Sequence, residues 1–155
     1  MRFVRRSRSA IATVEFALSL PLLLVLMLGV WEIARYVEVQ QIVNNAAREA
    51  GRQAAGGSKS VAEIRQSVSQ YLQSAGLTPN GFELSVTNLT NPSSRDPREA
   101  YNLDALEIVL SLPYRNVNLS LTSLFIPSSA RIRSRVVWRS LRDLPVVVDV
   151  NPPVE

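Results

Sequence analysis

A chain of 155 residues, 46% apolar and 19% charged, is sized for one modest domain and is not composed like a disordered tail. It has no His and no Cys, which excludes imidazole bases, thiol nucleophiles, disulfides, thiolate zinc sites and every metal site that needs a His. The net charge of +4 is N-terminal: without Arg2, Arg5, Arg6 and Arg8 the 17 basic residues fall to 13, against 13 acidic ones.

That basic leader runs directly into the longest apolar stretch, residues 11–31, which carries a single charge, Glu15. About 21 helical residues rise about 30 Å, the thickness of a hydrocarbon core. The arginines before the stretch, against the mixed Glu32, Arg35 and Glu38 after it, predict a cytoplasmic N-terminus and an exported C-terminal part. Trp31 and Tyr36 then fall at the outer interfacial belt. A cleaved secretory signal fits less well, because its apolar core is ordinarily about 7–15 residues and ends at a small-residue site that residues 27–31 do not offer.

A carboxylate within a membrane span costs about 2.5–3.5 kcal/mol at the bilayer centre and is normally kept for a partner or a pathway. Glu15 lies near the start of the span, so snorkelling to the headgroups is the plain alternative. Pro21, in the middle of the same stretch, removes a helix hydrogen bond and crowds the carbonyl of Ala17, so a kink or local unwinding is expected there; Ser19 is a neighbour that can compensate the backbone.

The segment RRSRSA-IATVEFALSLPLLLVLMLGVWEIARYVEVQQIVNNAAREAGRQAA resembles the TadE/TadG-like pseudopilins of tight-adherence (Tad) pili, a branch of the type IV pilin superfamily. The resemblance covers about residues 5–56 and is architectural beyond them. It implies cleavage by a prepilin peptidase between Ala10 and Ile11, with Glu15 as the fifth residue of the mature chain and Phe16 as the aromatic that follows it. Ala10 stands where the family usually has Gly, and Phe16 where it commonly has Tyr. The resemblance further implies no catalytic activity and no cofactor. As partners it implies the peptidase, other pilins or pseudopilins, an inner-membrane assembly platform and a cytoplasmic ATPase, hence a hetero-oligomer. A new α-ammonium on Ile11 in the apolar phase would need a counter-charge, which Glu15 can supply within its own helix or to an adjacent subunit.

Beyond Trp31 the apolar residues Tyr36, Val39, Val43, Ala46 or Ala47, Ala50 and Ala54 recur at spacings of three and four. The helix is therefore predicted to continue to Gly56-Gly57, about 45 residues and about 68 Å from Ile11. Its alanine-rich face can pack on the chain's own domain or on another subunit. Gly56-Gly57-Ser58-Lys59-Ser60 reads as a hinge; it lacks the spacing of a phosphate loop. Ser60 to Glu63 is a capping box opening a second helix with Val61, Ile64, Val68, Leu72 and Ala75 on one face, ended by Gly76.

Thr78-Pro79-Asn80-Gly81 predicts a turn, and Phe82, Leu84 and Val86 alternate as a half-buried strand. Residues 91–98 form a polar loop. Its Asp96, with Glu99 and Asp104 beyond, lacks calcium-loop spacing, so no metal site is predicted. Leu106, Ile108, Leu110, Leu112 and Tyr114 mark a longer strand, residues 116–126 are ambiguous, and residues 130–141 form another strand with Ile132, Val136 and Trp138 on one face. The tail after Leu144 can add a short edge strand, limited by its prolines.

Arg131, Arg133, Arg135 and Arg139 occupy the opposite face of that last strand, with Arg142 just beyond. They can pair across strands with Glu83, Glu107 or Asp104, contact an acidic partner subunit, or bind phosphates. Nucleic acid is not expected, since aromatics are not interleaved and the exported part is neutral.

The expected architecture is α+β and pilin-like: a transmembrane helix continuing into a small domain of one further helix and a three- to four-stranded antiparallel sheet. The divisions are a basic leader (1–10), a membrane helix (11–31), its extension (32–56), an extracytoplasmic domain (60–150) and a tail (151–155). The expected location is the bacterial plasma membrane, single-pass. The competing reading is an uncleaved signal-anchor protein whose exported domain binds or scaffolds an envelope partner.

Overall fold

The computed structural model describes residues 4–114 and 129–142, with side chains from residue 11 onward. Arg2, the ambiguous stretch 116–126 and the tail beyond Leu144 lie outside the described residues, as do the side chains of Arg5, Arg6, Arg8 and Ala10. The elements in chain order are α1 (Val4–Ala55), α2 (Val61–Ser74), β1 (Glu83–Asn88), a 3-10 turn (Pro97–Glu99), β2 (Ala105–Pro113) and β3 (Arg131–Arg139). The layout is α+β. Two compact units divide the chain, Met1–Glu38 and Val39–Glu155.

In the first unit every residue from Ile11 to Trp31 is exposed. Leu18 is 76% accessible and Met27 70%. A helix that is apolar all round and covered nowhere calls for a solvent other than water, and Ile11–Ala55 contains a window long and apolar enough to cross a membrane. It fits a single-pass membrane anchor. The helix is unbroken through Pro21. Ser19 Oγ lies 3.0 Å from the carbonyl of Glu15 and 3.1 Å from that of Phe16. It thus bonds one turn back from itself, and not to the Ala17 carbonyl that Pro21 leaves without a donor.

The second unit is built on a three-stranded sheet of order β1-β2-β3, with both pairs antiparallel. Alternation places Leu84 on β1, Leu106, Ile108, Leu110 and Leu112 on β2 and Ile132 on β3 in the core, while the end of β2 is buried throughout, Ser111 and Pro113 included. They share one core with Ile64, Val68 and Leu72 of α2 and with Val39, Val43, Ala46, Ala47, Ala50 and Ala54 of α1. The buried face of α1 begins at Val39. Tyr36, expected on the same stripe, is 44% exposed and belongs to the first unit.

Local signals account for the boundaries. α1 stops at Ala55 because Gly57 turns to φ 62°, a conformation open to glycine, while its N–H reaches the carbonyl of Ala54. α2 starts on a complete capping box, Ser60 Oγ accepting from the Glu63 N–H and Glu63 Oε2 accepting from the Ser60 N–H at 2.7 Å. Pro113 ends β2 just where β1, whose register begins at Glu83 opposite Ser111, no longer pairs with it.

Candidate functional site

Within the first unit, Ile11 and Glu15 are four residues apart on one helix, close enough for their ends to meet on one face. Both are exposed, as is Phe16 at 61%. Among the described residues no cation pairs with the Glu15 carboxylate. Farther along, Arg35 Nη1 donates to Glu38 Oε2 at 2.8 Å, so these two charges satisfy each other. Glu15 is thus the one charge in the apolar stretch 11–31, without a partner among the described residues.

Past Val39 the alanine-rich face of α1 is occupied by its own domain. The opposite face carries Gln41, Asn45, Arg48 and Arg52, all exposed. Arg52 Nη2 donates to Glu49 Oε1 at 2.6 Å and Gln53 Nε2 to the same oxygen at 2.8 Å. The Arg52 hydrogen bond, helped by Gln53, lowers the Glu49 carboxyl from its ordinary 4.5 to about 2.

The arginine row lies on the uncovered face of the sheet. Arg131 lies 3.3 Å from Glu83 and also donates to Ser111 Oγ at 2.6 Å and the Gly81 carbonyl at 3.2 Å. Arg135 Nε donates to Glu107 Oε1 at 2.6 Å. Arg139 turns to the carbonyl of Leu103 at 3.2 Å. Arg133 lacks a partner among the described residues and helps line a shallow concavity with Glu83, Ser85, Glu107, Val109 and Ser111. Cross-strand pairing thus engages two of the four arginines.

Asp104, named above as a third acid for the row, is instead buried at 5% exposure. Its Oδ2 accepts from Asn88 Nδ2 at 2.7 Å and from the Tyr101 N–H at 3.0 Å. Asn88 Oδ1 in turn accepts from the N–H groups of Thr90 and Asn91 at 3.0 and 2.8 Å. This polar node holds the β1–β2 connection to the sheet. Sequence reasoning missed it, because an Asn at a strand end and an Asp before the next strand read as ordinary loop residues. Asp96 caps the 3-10 turn and pairs with Arg98 at 3.0 Å, which lowers its pKa. Among the described residues no cluster of three acids could hold a metal ion.

Residues 10–52 match the family described as TadE-like protein. No curated protein and no solved structure matches the chain. The matched segment opens at Ala10 and contains Ile11, Glu15 and Phe16. The match is consistent with a TadE-like pilin of Tad pili, a structural and non-enzymatic class.

Proposed function

We propose that this chain, TadE-like over residues 10–52, is a minor pilin or assembly factor of a Tad-type pilus used in adhesion. The arginine leader keeps the N-terminus in the cytoplasm and residues 11–31 cross the plasma membrane. A prepilin peptidase cuts between Ala10 and Ile11. The new α-ammonium and the Glu15 carboxylate neutralise one another in the apolar phase, within one helix or between adjacent subunits, and so set register during assembly. Partners are the peptidase, other pilins, an inner-membrane platform and its ATPase. The observation that carries the reading is an acid four residues beyond Ile11, without a partner among the described residues, on an exposed apolar stretch inside the family match.

One residue favours a second reading. Ala10 occupies the place where the family usually has Gly, which fits an uncleaved signal anchor with an exported scaffold domain. N-terminal sequencing of the protein extracted from membranes of cells with an active prepilin peptidase separates the two. A chain starting at Ile11 supports the pilin, and one starting at Met1 overturns it.

A further inference from the structure

The two ends of β3 fix which way its backbone points. Tyr114 N–H donates to the Ala130 carbonyl at 2.8 Å and Ser140 N–H to the Asp104 carbonyl at 2.8 Å, and both pairs continue the β2–β3 register. In an antiparallel ladder, residues that exchange hydrogen bonds with a neighbour alternate with residues whose groups turn the other way. Ile132, Ser134, Val136 and Trp138 therefore bond to β2, while the N–H and C=O groups of Arg131, Arg133, Arg135, Val137 and Arg139 point away from it. β3 is last in the strand order, so these groups form a free edge. Among the described residues the edge meets one donor, Gln40 Nε2, 3.3 Å from the Arg133 carbonyl. From Arg135 to Arg139 the outward backbone groups have no partner among the described residues.

An unpaired edge is a template for another strand. A second β3 laid antiparallel on this one would set arginine opposite arginine. The chain itself supplies a better match. It leaves β3 with the Leu141 N–H on the Ala55 carbonyl at 2.9 Å and the Arg142 stem beside Gly57. Three residues later comes Val146-Val147-Val148-Asp149-Val150, four of five β-branched, the composition of a strand. Five extended residues span about 16 Å, as much as β3 offers from Arg135 to Arg139. Period-two alternation puts Val146, Val148 and Val150 on one face and Asp149 on the other, so the three valines suit the core side and Asp149 the arginine side. With Val147 opposite Val137, Asp149 stands opposite Arg135 and diagonal to Arg133. Pairing then ends near Arg133, where Gln40 already holds the carbonyl and Pro152-Pro153 begin.

We propose that residues 146–150 pair antiparallel with the free edge of β3 of the same chain as a fourth strand, closing that edge to other chains. The short connection from Arg142 gives the segment an effective concentration that an outside strand does not match. The proposal depends neither on cleavage after Ala10 nor on pilus assembly.

Hydrogen exchange of the full-length protein in detergent, read residue by residue by NMR, tests it. A bare edge strand protects alternate N–H groups, and a covered one protects consecutive groups. The Arg135 and Val137 N–H groups should exchange at least about tenfold more slowly in the natural chain than in a variant carrying Val147→Pro and Asp149→Pro, while Val136 and Trp138 stay slow in both. The chain has no cysteine, so engineered pairs give a second reading. Val137→Cys with Val147→Cys should form an intramolecular disulfide faster than Val137→Cys with Val148→Cys, whose side chain lies on the other face. Fast exchange at Arg135 and Val137 in the natural chain overturns the proposal. So does slow exchange that the prolines leave unchanged, which gives the edge to residues 115–128 or to another molecule. Equal rates for the two cysteine pairs, or a disulfide joining two chains, overturn it as well.

Discussion

Gly51 of α1 lies against the indole of Trp138 on β3: a Cβ at position 51 would stand 2.2 Å from Trp138 Cδ1 and 2.4 Å from Nε1. The indole thus occupies the notch a side chain would fill. Glycine in a helix interior ordinarily costs about 1 kcal/mol relative to Ala, so its presence here reflects the approach of helix and sheet. Gly51→Ala is expected to lower stability by about 1–3 kcal/mol, because overpacking outweighs the gain in helix propensity. Gly51→Ala combined with Trp138→Leu should recover part of the loss. Thermal or urea unfolding of the four proteins of this cycle measures the coupling.

Leu103→Gly tests the opposite case, a side chain present where the backbone, at φ 65°, disfavours it. Stability should rise by about 1 kcal/mol, since relief of the left-handed strain exceeds the entropy that glycine adds to the unfolded chain. A fall in the unfolding midpoint would mean that the exposed side chain contributes packing to the monomer.

Asn88→Ala removes a donor from the buried Asp104 carboxylate and leaves the Thr90 and Asn91 N–H groups without their acceptor. A loss of about 1–3 kcal/mol is expected. Hydrogen exchange should locate the loosening in residues 89–104, ahead of the sheet.

The Glu49 carboxyl is lowered from 4.5 to about 2 by Arg52 and Gln53. A depressed folded-state pKa contributes stability that is fully present above about 4.5 and is lost as pH falls towards 2. Glu63, lowered by its hydrogen bonds from Ser60, and Asp96, lowered by Arg98, act in the same direction. Glu49→Gln should therefore matter little at pH 7, well under 1 kcal/mol for a pair this open to solvent, and should flatten the acid limb of the stability curve. Unfolding midpoints between pH 2 and 6 check it.

Glu15→Leu is expected to insert in the membrane at least as well as the natural chain, since it removes a charge from the span. Incorporation into pili should fail, because the Ile11 ammonium loses its counter-charge. Sequencing of the N-terminus and blotting of sheared pili read processing and incorporation separately. Normal incorporation would remove the assembly role of Glu15.

Local features of the molecule were legible in the chain. The apolar run 11–31, the capping box at Ser60 and the glycine stop after Ala55 were readable, and so were the three alternating strands, because each depends on residues within one or two turns or strand repeats of each other. The one-turn spacing from Ile11 to Glu15 is equally local, and the family match falls on that stretch.

Choices between distant partners were not legible. Arg131 and Arg135 took Glu83 and Glu107, while Asp104, equally acidic on paper, went inward to Asn88. The alanine face of α1 could have served another subunit, but from Val39 onward it closed the chain's own core. Gly51 acquired its meaning from Trp138, and Leu103 its strained φ from Ser140 and Arg139. Periodicity and capping are short-range energies that a sequence displays directly. Which acid is buried, which face is covered and which backbone is bent depends on strand register and helix approach, and those exist only once distant segments have packed together.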